Sequence, residues 1–284
     1  MPARCNLVVV STLPPPSDPE LELFRYTAPE PDSKSLWRAA PENPVWTGWD
    51  VLRIAGVAFL AILFFSMVAV LAAQSAGLLH SAKAGELERD PWIVISSQAA
   101  AYACVVAFMY ALVRRGYGRR FGEAVRWNWP AHWWAYVVGG VALSLIAEVG
   151  EAFLPVPKSL PIDEYFRDAP SMWLMAVFGS LIAPAVEELF FRGFLYPVLA
   201  RRLRAAAAIT LTALAFALLH ASQLGDAWAP LLVLFVVGLA LTVVRARTRS
   251  VAASTLVHMA YNVTLFVALF LETDGFQHLE KMKG

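Results

Sequence analysis

Seven stretches of about 17 to 25 mostly apolar residues recur along this 284-residue chain, each long enough to cross the hydrocarbon core of a bilayer as a helix. They run approximately from Val51 to Ala73, Trp92 to Val113, Trp133 to Phe153, Ser171 to Leu199, Ala205 to Ala221, Trp228 to Val244 and Val251 to Leu271. Composition agrees: 58% of the residues are hydrophobic and 16% charged, where a soluble domain carries about 25% charged residues. The expected fold class is all-α, a polytopic transmembrane helical bundle of about seven spans, with roughly six to eight as bounds.

The first 46 residues are Pro-rich and polar, and their apolar run from Leu7 to Val10 is shorter than the roughly 7 to 15 residues of a signal-peptide core. The chain therefore divides into a loose cytosolic N-terminal tail (1–46), N-terminal transmembrane helices (47–170), a second set of helices carrying the chemistry (171–272) and a C-terminal tail (273–284). Lys and Arg accumulate in cytoplasmic loops. Arg114, Arg115, Arg119, Arg120 and Arg126 follow the second stretch, Arg201, Arg202 and Arg204 the fourth, and Arg245, Arg247 and Arg249 the sixth. The alternate connections are mildly acidic, with Glu86, Glu88 and Asp90, then Asp163, Glu164 and Asp168, then Asp226. This pattern places the N-terminus in the cytosol and the C-terminus outside. Trp46, Trp49, Trp92, Trp127, Trp129, Trp133, Trp134, Trp173 and Trp228 lie near span ends, where amphipathic rings favour the interface. Abundant Ala, Arg and Trp point towards a bacterial inner (plasma) membrane, with the endoplasmic reticulum as the alternative.

A net charge of +1 gives no electrostatic ground for a nucleic-acid partner. Cys5 and Cys104 have neither disulfide-framework nor metal-site spacing and read as ordinary thiols.

Ionisable side chains near the centre of a span cost at least roughly 2.5 to 3.5 kcal/mol each, so polar groups there need an account. The fourth, fifth and seventh stretches hold Glu187, Glu188, Arg192, His220, His258 and Asn262. Glu188 and Arg192 are four apart and can pair on one helix face. Glu187 points about 100° away from Glu188 and is left to face a polar cavity. His258 and Asn262, also four apart, form one polar stripe. At about 1.5 Å per residue from the nearest basic loop, Glu187 lies about 21 Å deep, His220 about 24 Å, His258 about 14 Å and Asn262 about 20 Å. With ordinary tilts these depths overlap.

A carboxylate, two imidazoles and an amide at one level suit peptide-bond hydrolysis. The carboxylate can take a proton from water, an imidazole can hold that water or protonate the leaving amine, and the remaining donors can face a developing oxyanion. No Ser-His or Cys-His arrangement competes. Two histidines and a glutamate are also a donor set for a divalent metal such as zinc, although the His-Glu-x-x-His signature is absent. A metal-free, glutamate-activated water, with no cofactor required, is read ahead of that alternative.

Ala183 to Leu199, APAVEELFFRGFLYPVL, resembles the first motif of the CAAX-protease and bacteriocin-processing (CPBP) family of intramembrane endopeptidases, whose core is Glu-Glu-x-x-x-Arg. Phe216 to His220 is similar to the second pattern, Phe-x-x-x-His, and His258 to Asn262 to the third, His-x-x-x-Asn. The resemblance implies an all-helical membrane fold and an endopeptidase of glutamic or metallo type. Its substrate would be a membrane-associated protein or peptide, prenylated and CAAX-type in the eukaryotic type II prenyl endopeptidases, with bacterial relatives tied to bacteriocin processing or self-immunity. It also implies roles: Glu187 the general base, His220 its partner, His258 and Asn262 the oxyanion or water-positioning pair, Glu188 and Arg192 catalytic or architectural.

Glu148 and Glu151 fit no motif and are read as interfacial. Two readings from other classes remain: a non-catalytic membrane immunity or binding scaffold, and a transporter with a proton relay. The paired broken helices in repeated halves that a transporter would show are not found.

Overall fold

Each apolar stretch forms a helix, and polar side chains cap the start of some of them. The protein's structure is a computed structural model, and it describes residues 42–77, 90–157, 159–225 and 227–280. The first 41 residues of the tail with Cys5, the loop residues Glu86 and Glu88, and Asp226 lie outside the described residues. The helices are α1 (Gly48–Ser75), α2 (Pro91–Gly116), α3 (Trp133–Glu151), α4 (Ala169–Arg202), α5 (Ala205–Leu219), α6 (Trp228–Thr248) and α7 (Val251–Glu272). Among the described residues there is no strand. Six of the seven are long and apolar enough to cross a membrane, and the all-α polytopic bundle is as expected. The exception, α5, has 15 residues and gives way at His220 to a short tight-helical turn, Ala221–Leu224.

Asp90 caps α2, accepting from the Trp92 and Ile93 amides ahead of Pro91. Asp168 caps α4 through the Ser171 amide at 2.8 Å, and Ser250 caps α7 through the Ala253 amide at 3.0 Å. Each cap satisfies a backbone N–H that the first turn leaves open. At the start of α1, Asp50 accepts the Tyr117 hydroxyl at 2.6 Å. That bond to a carboxylate pushes the Tyr117 phenol's pKa up.

Packing runs in pairs: α1 on α2, α3 on α7, and α5 on α6. Two glycines permit the closest approaches. A Cβ at Gly140 would collide with the Val257 carbonyl and Ala260 of α7, and one at Gly238 would crowd the Ala213 backbone of α5. Chains meeting this closely are how membrane helices gain packing energy where lipid removes the hydrophobic drive.

The three basic connections gather at one end. There the Arg126 carbonyl accepts from the Val251 amide at 3.0 Å, Arg201 donates to the Pro44 carbonyl at 3.0 Å, and Ser250 donates to the Asn128 carbonyl. Two expectations are corrected at this end. The sixth helix runs to Thr248 rather than Val244, so Arg245 and Arg247 belong to its last turn, and Arg245 is 1% exposed rather than a loop residue. The tail is not loose through residue 46 either: Glu42 and Trp46 are buried. Glu42 neutralises Arg245 at 2.9 Å, which is what lets that guanidinium leave water.

Candidate active site

Helix α4 carries the first motif: Glu187 and Glu188 lie between two wide π turns, Phe178–Ile182 and Leu189–Leu195, and Arg192 lies within the second. Such turns widen a helix locally and are frequent at functional sites. The 100° step between neighbours separates the two glutamates as expected. Glu188 is fully buried, while the Glu187 side chain keeps 12% of its surface open.

Glu188 and Arg192 form the expected pair, Nη1 to Oε1 at 2.6 Å. Arg192 is fully buried and has further acceptors on α6: its Nε donates to the Thr242 hydroxyl at 3.2 Å and its Nη2 to the Gly238 carbonyl at 2.9 Å. The Thr242 hydroxyl itself donates to the same Gly238 carbonyl at 2.7 Å. A charge-balanced, hydrogen-bonded guanidinium is the form in which this group tolerates a low dielectric.

Both histidines are anchored through Nδ1. His220, at the end of α5, places Nδ1 2.9 Å from the Phe216 carbonyl. A carbonyl only accepts, so Nδ1 carries the proton and Nε2 presents a lone pair in the neutral ring. His258 of α7 places Nδ1 3.1 Å from Glu188 Oε1, with the same consequence. The two Nε2 atoms then face opposite oxygens of Glu187: His220 lies 4.0 Å from Oε1 and His258 3.9 Å from Oε2. Phe216 packs against both rings, with centroids 4.9 Å from His220 and 5.5 Å from His258, and Arg192 lies 4.7 Å over its face. The aromatic in the second motif thus serves as a shared apolar wall for three polar groups.

Five of the six expected residues therefore meet at one place. Asn262 sits one turn further along α7, and its amide nitrogen donates to the Gly179 carbonyl of α4 at 2.7 Å. Glu148 and Glu151 belong to α3, and both act electrostatically on Tyr261, on the α3-facing side of α7. Three contributors escaped the motif search. Thr242 and Gly238 hold Arg192 from α6. Tyr102 of α2 lies within electrostatic range of Glu187, accepts from Gln98 at 3.1 Å and stacks on Phe178 at 5.6 Å. The signal for Tyr102 was present, as a polar pair four apart inside an apolar span.

The donor set of two imidazole nitrogens and a carboxylate matches zinc chemically. Among the described residues no group of three or more His, Cys, Asp or Glu side chains is close enough to hold a metal ion as placed. Separations of 4.0 and 3.9 Å also fit a shared water, since a molecule hydrogen-bonded to both groups at about 2.8 Å spans that gap.

No curated protein and no solved structure matches the chain. Residues 169–264, which contain every group from Glu187 to Asn262, match the family model described as type II CAAX prenyl endopeptidase Rce1-like.

Proposed function

We propose that the protein hydrolyses a peptide bond of a membrane-associated, CAAX-type protein or peptide by a water that Glu187 activates. The observation that carries this reading is the placement of two imidazole Nε2 atoms, from different helices, at 4.0 and 3.9 Å from the two oxygens of one carboxylate. A water between Glu187 and His220 donates one hydrogen to each, which turns its oxygen lone pair towards a substrate carbonyl. On attack, a water proton moves to Glu187 and the carbonyl oxygen becomes an oxyanion. Glu187 then delivers that proton to the amine nitrogen as the C–N bond breaks.

His258 donates from Nδ1 to Glu188, and its Nε2 lone pair bears on the water beside Glu187. Asn262, anchored on Gly179 by one amide hydrogen, has a second hydrogen for the developing oxyanion. Glu188 and Arg192 act as the brace behind His258.

The test is cleavage of a prenylated CAAX peptide and its unprenylated twin by the purified protein in detergent. Cleavage near the C-terminus of the prenylated peptide is the expected result. Activity should survive chelators, thiol alkylation and serine acylation, and Cys5→Ser with Cys104→Ser should stay active, because no serine or cysteine occupies a motif position. Loss on chelation with recovery on added zinc would put the metal-dependent version first. Cleavage of neither peptide, with the protein folded, would favour the immunity or binding scaffold.

We further propose a cytosolic N-terminus in a bacterial inner membrane, supported by the gathering of the basic connections at the end where α1 starts. An Arg119→Cys reporter in a cysteine-free background should react from the cytosolic side alone. Labelling from outside would invert the topology.

A further inference from the structure

Each π turn of α4 is followed at once by a proline. In such a turn the N–H bonds the carbonyl five residues back, as the Ala183 amide does to Phe178 and the Tyr196 amide to Phe191. The next residues are Pro184 and Pro197, which have no N–H to continue the pattern. The carbonyls left without that partner are Gly179 and Arg192. Another helix fills each: Asn262 of α7 donates to Gly179 at 2.7 Å, and Arg245 of α6 donates through Nε to Arg192 at 3.1 Å. The segment bearing Glu187, Glu188 and Arg192 is therefore pinned at both ends by side chains from outside its own helix.

We propose that Arg245, held by Glu42, is a positioning residue for the hydrolytic reaction. It rests on the reading of Glu187, His220 and His258 as the hydrolytic site. Arg245 Nη1 pairs with Glu42 Oε1 at 2.9 Å, Arg126 takes Glu42 Oε2 at 3.3 Å, and the Arg245 guanidinium lies 5.5 Å over the Tyr196 ring. Trp46 adds a second grip from the same N-terminal segment, donating from its indole to the Phe194 carbonyl at 3.1 Å. The line of contact runs from Glu42 through Arg245 to the Arg192 main chain. The Arg192 side chain sets Glu188, Glu188 sets His258, and His258 walls the water beside Glu187. A register error at Arg192 moves that wall, and a displacement near 1 Å at a reacting group can cost about 100-fold in rate.

The experiment measures kcat, KM and melting temperature for Arg245→Gln, Pro197→Ala and the double variant, with Glu187→Gln in the same assay. Arg245→Gln should lower kcat about 10- to 100-fold with KM within about threefold. Pro197→Ala restores a backbone N–H that can serve the Arg192 carbonyl, so the double variant should recover kcat to within about threefold of Pro197→Ala alone. The loss of melting temperature from breaking the Glu42 pair should remain, which separates positioning from general stability. An Arg245→Gln kcat within about threefold of wild type, or a double variant no faster than Arg245→Gln, overturns the proposal. If Arg245→Gln does not fold, Arg245→Lys replaces it. Its ammonium can keep the Glu42 pair but lacks the separate Nε–H that reaches the Arg192 carbonyl, and a wild-type kcat there overturns the proposal equally. An active Glu187→Gln instead overturns the reading of the site, whatever Arg245 does.

Discussion

Glu188→Gln should be folded but destabilised by about 3 to 5 kcal/mol, the usual consequence of removing one partner of a buried ion pair. The amide keeps the shape of the carboxylate and can still accept a hydrogen bond. It cannot balance Arg192, which has no exposed surface and whose Thr242 and Gly238 contacts are neutral. The cost is therefore electrostatic, and it should appear as a lowered melting temperature in detergent and poorer expression. A second change should return much of that stability. Replacing Glu188 and Arg192 together by apolar residues of similar volume removes the stranded charge, and such replacements of buried pairs are often neutral or better. The double variant should nonetheless be slow, because His258 loses the Nδ1 partner 3.1 Å away that fixes its ring. A Glu188→Gln protein that melts with wild type would mean that Arg192 finds its counter-charge elsewhere.

Glu187→Gln should do the opposite, leaving the fold intact and removing turnover. Glu187 makes no ion pair with Arg192 at bonding distance, faces two imidazoles near 4 Å and keeps part of its surface open, so a neutral isostere strands nothing. The amide cannot accept a proton from water. General-base catalysis typically contributes about 10² to 10⁴-fold, and kcat should fall by at least that lower bound with KM little changed. The melting temperatures of Glu187→Gln and Glu188→Gln, set beside their cleavage rates, separate the base from the brace.

The helices were legible because apolar length is a property of the sequence alone, and so was the grouping of Glu187, Glu188, Arg192, His220 and His258, because helical spacing and approximate depth can be counted. What could not be read depended on where helices start relative to one another. His258 was expected about 7 Å shallower than Glu187 by rise per residue, yet the two meet. Ser250 and Val251 are buried, so α7 begins inside the bundle rather than at its surface. The same recess explains Asn262, which was read as level with Glu187 and instead reaches Gly179, about two turns away along α4. Arg245 looked like a loop cation because nothing local reveals that Glu42, distant in sequence, neutralises it. Pro184 and Pro197 were visible in the first motif, but the carbonyls they free, and the side chains that fill them, depend on π turns that no residue pattern announces.

Single-turnover cleavage of a prenylated CAAX peptide, with folded Glu187→Gln protein in excess over substrate, tests the central claim most directly, since product release cannot mask the chemical step. The account predicts that bound peptide stays intact over the time in which wild type consumes it, with a rate constant at least about 100-fold lower. A rate constant above about a tenth of wild type would contradict a general-base role for Glu187.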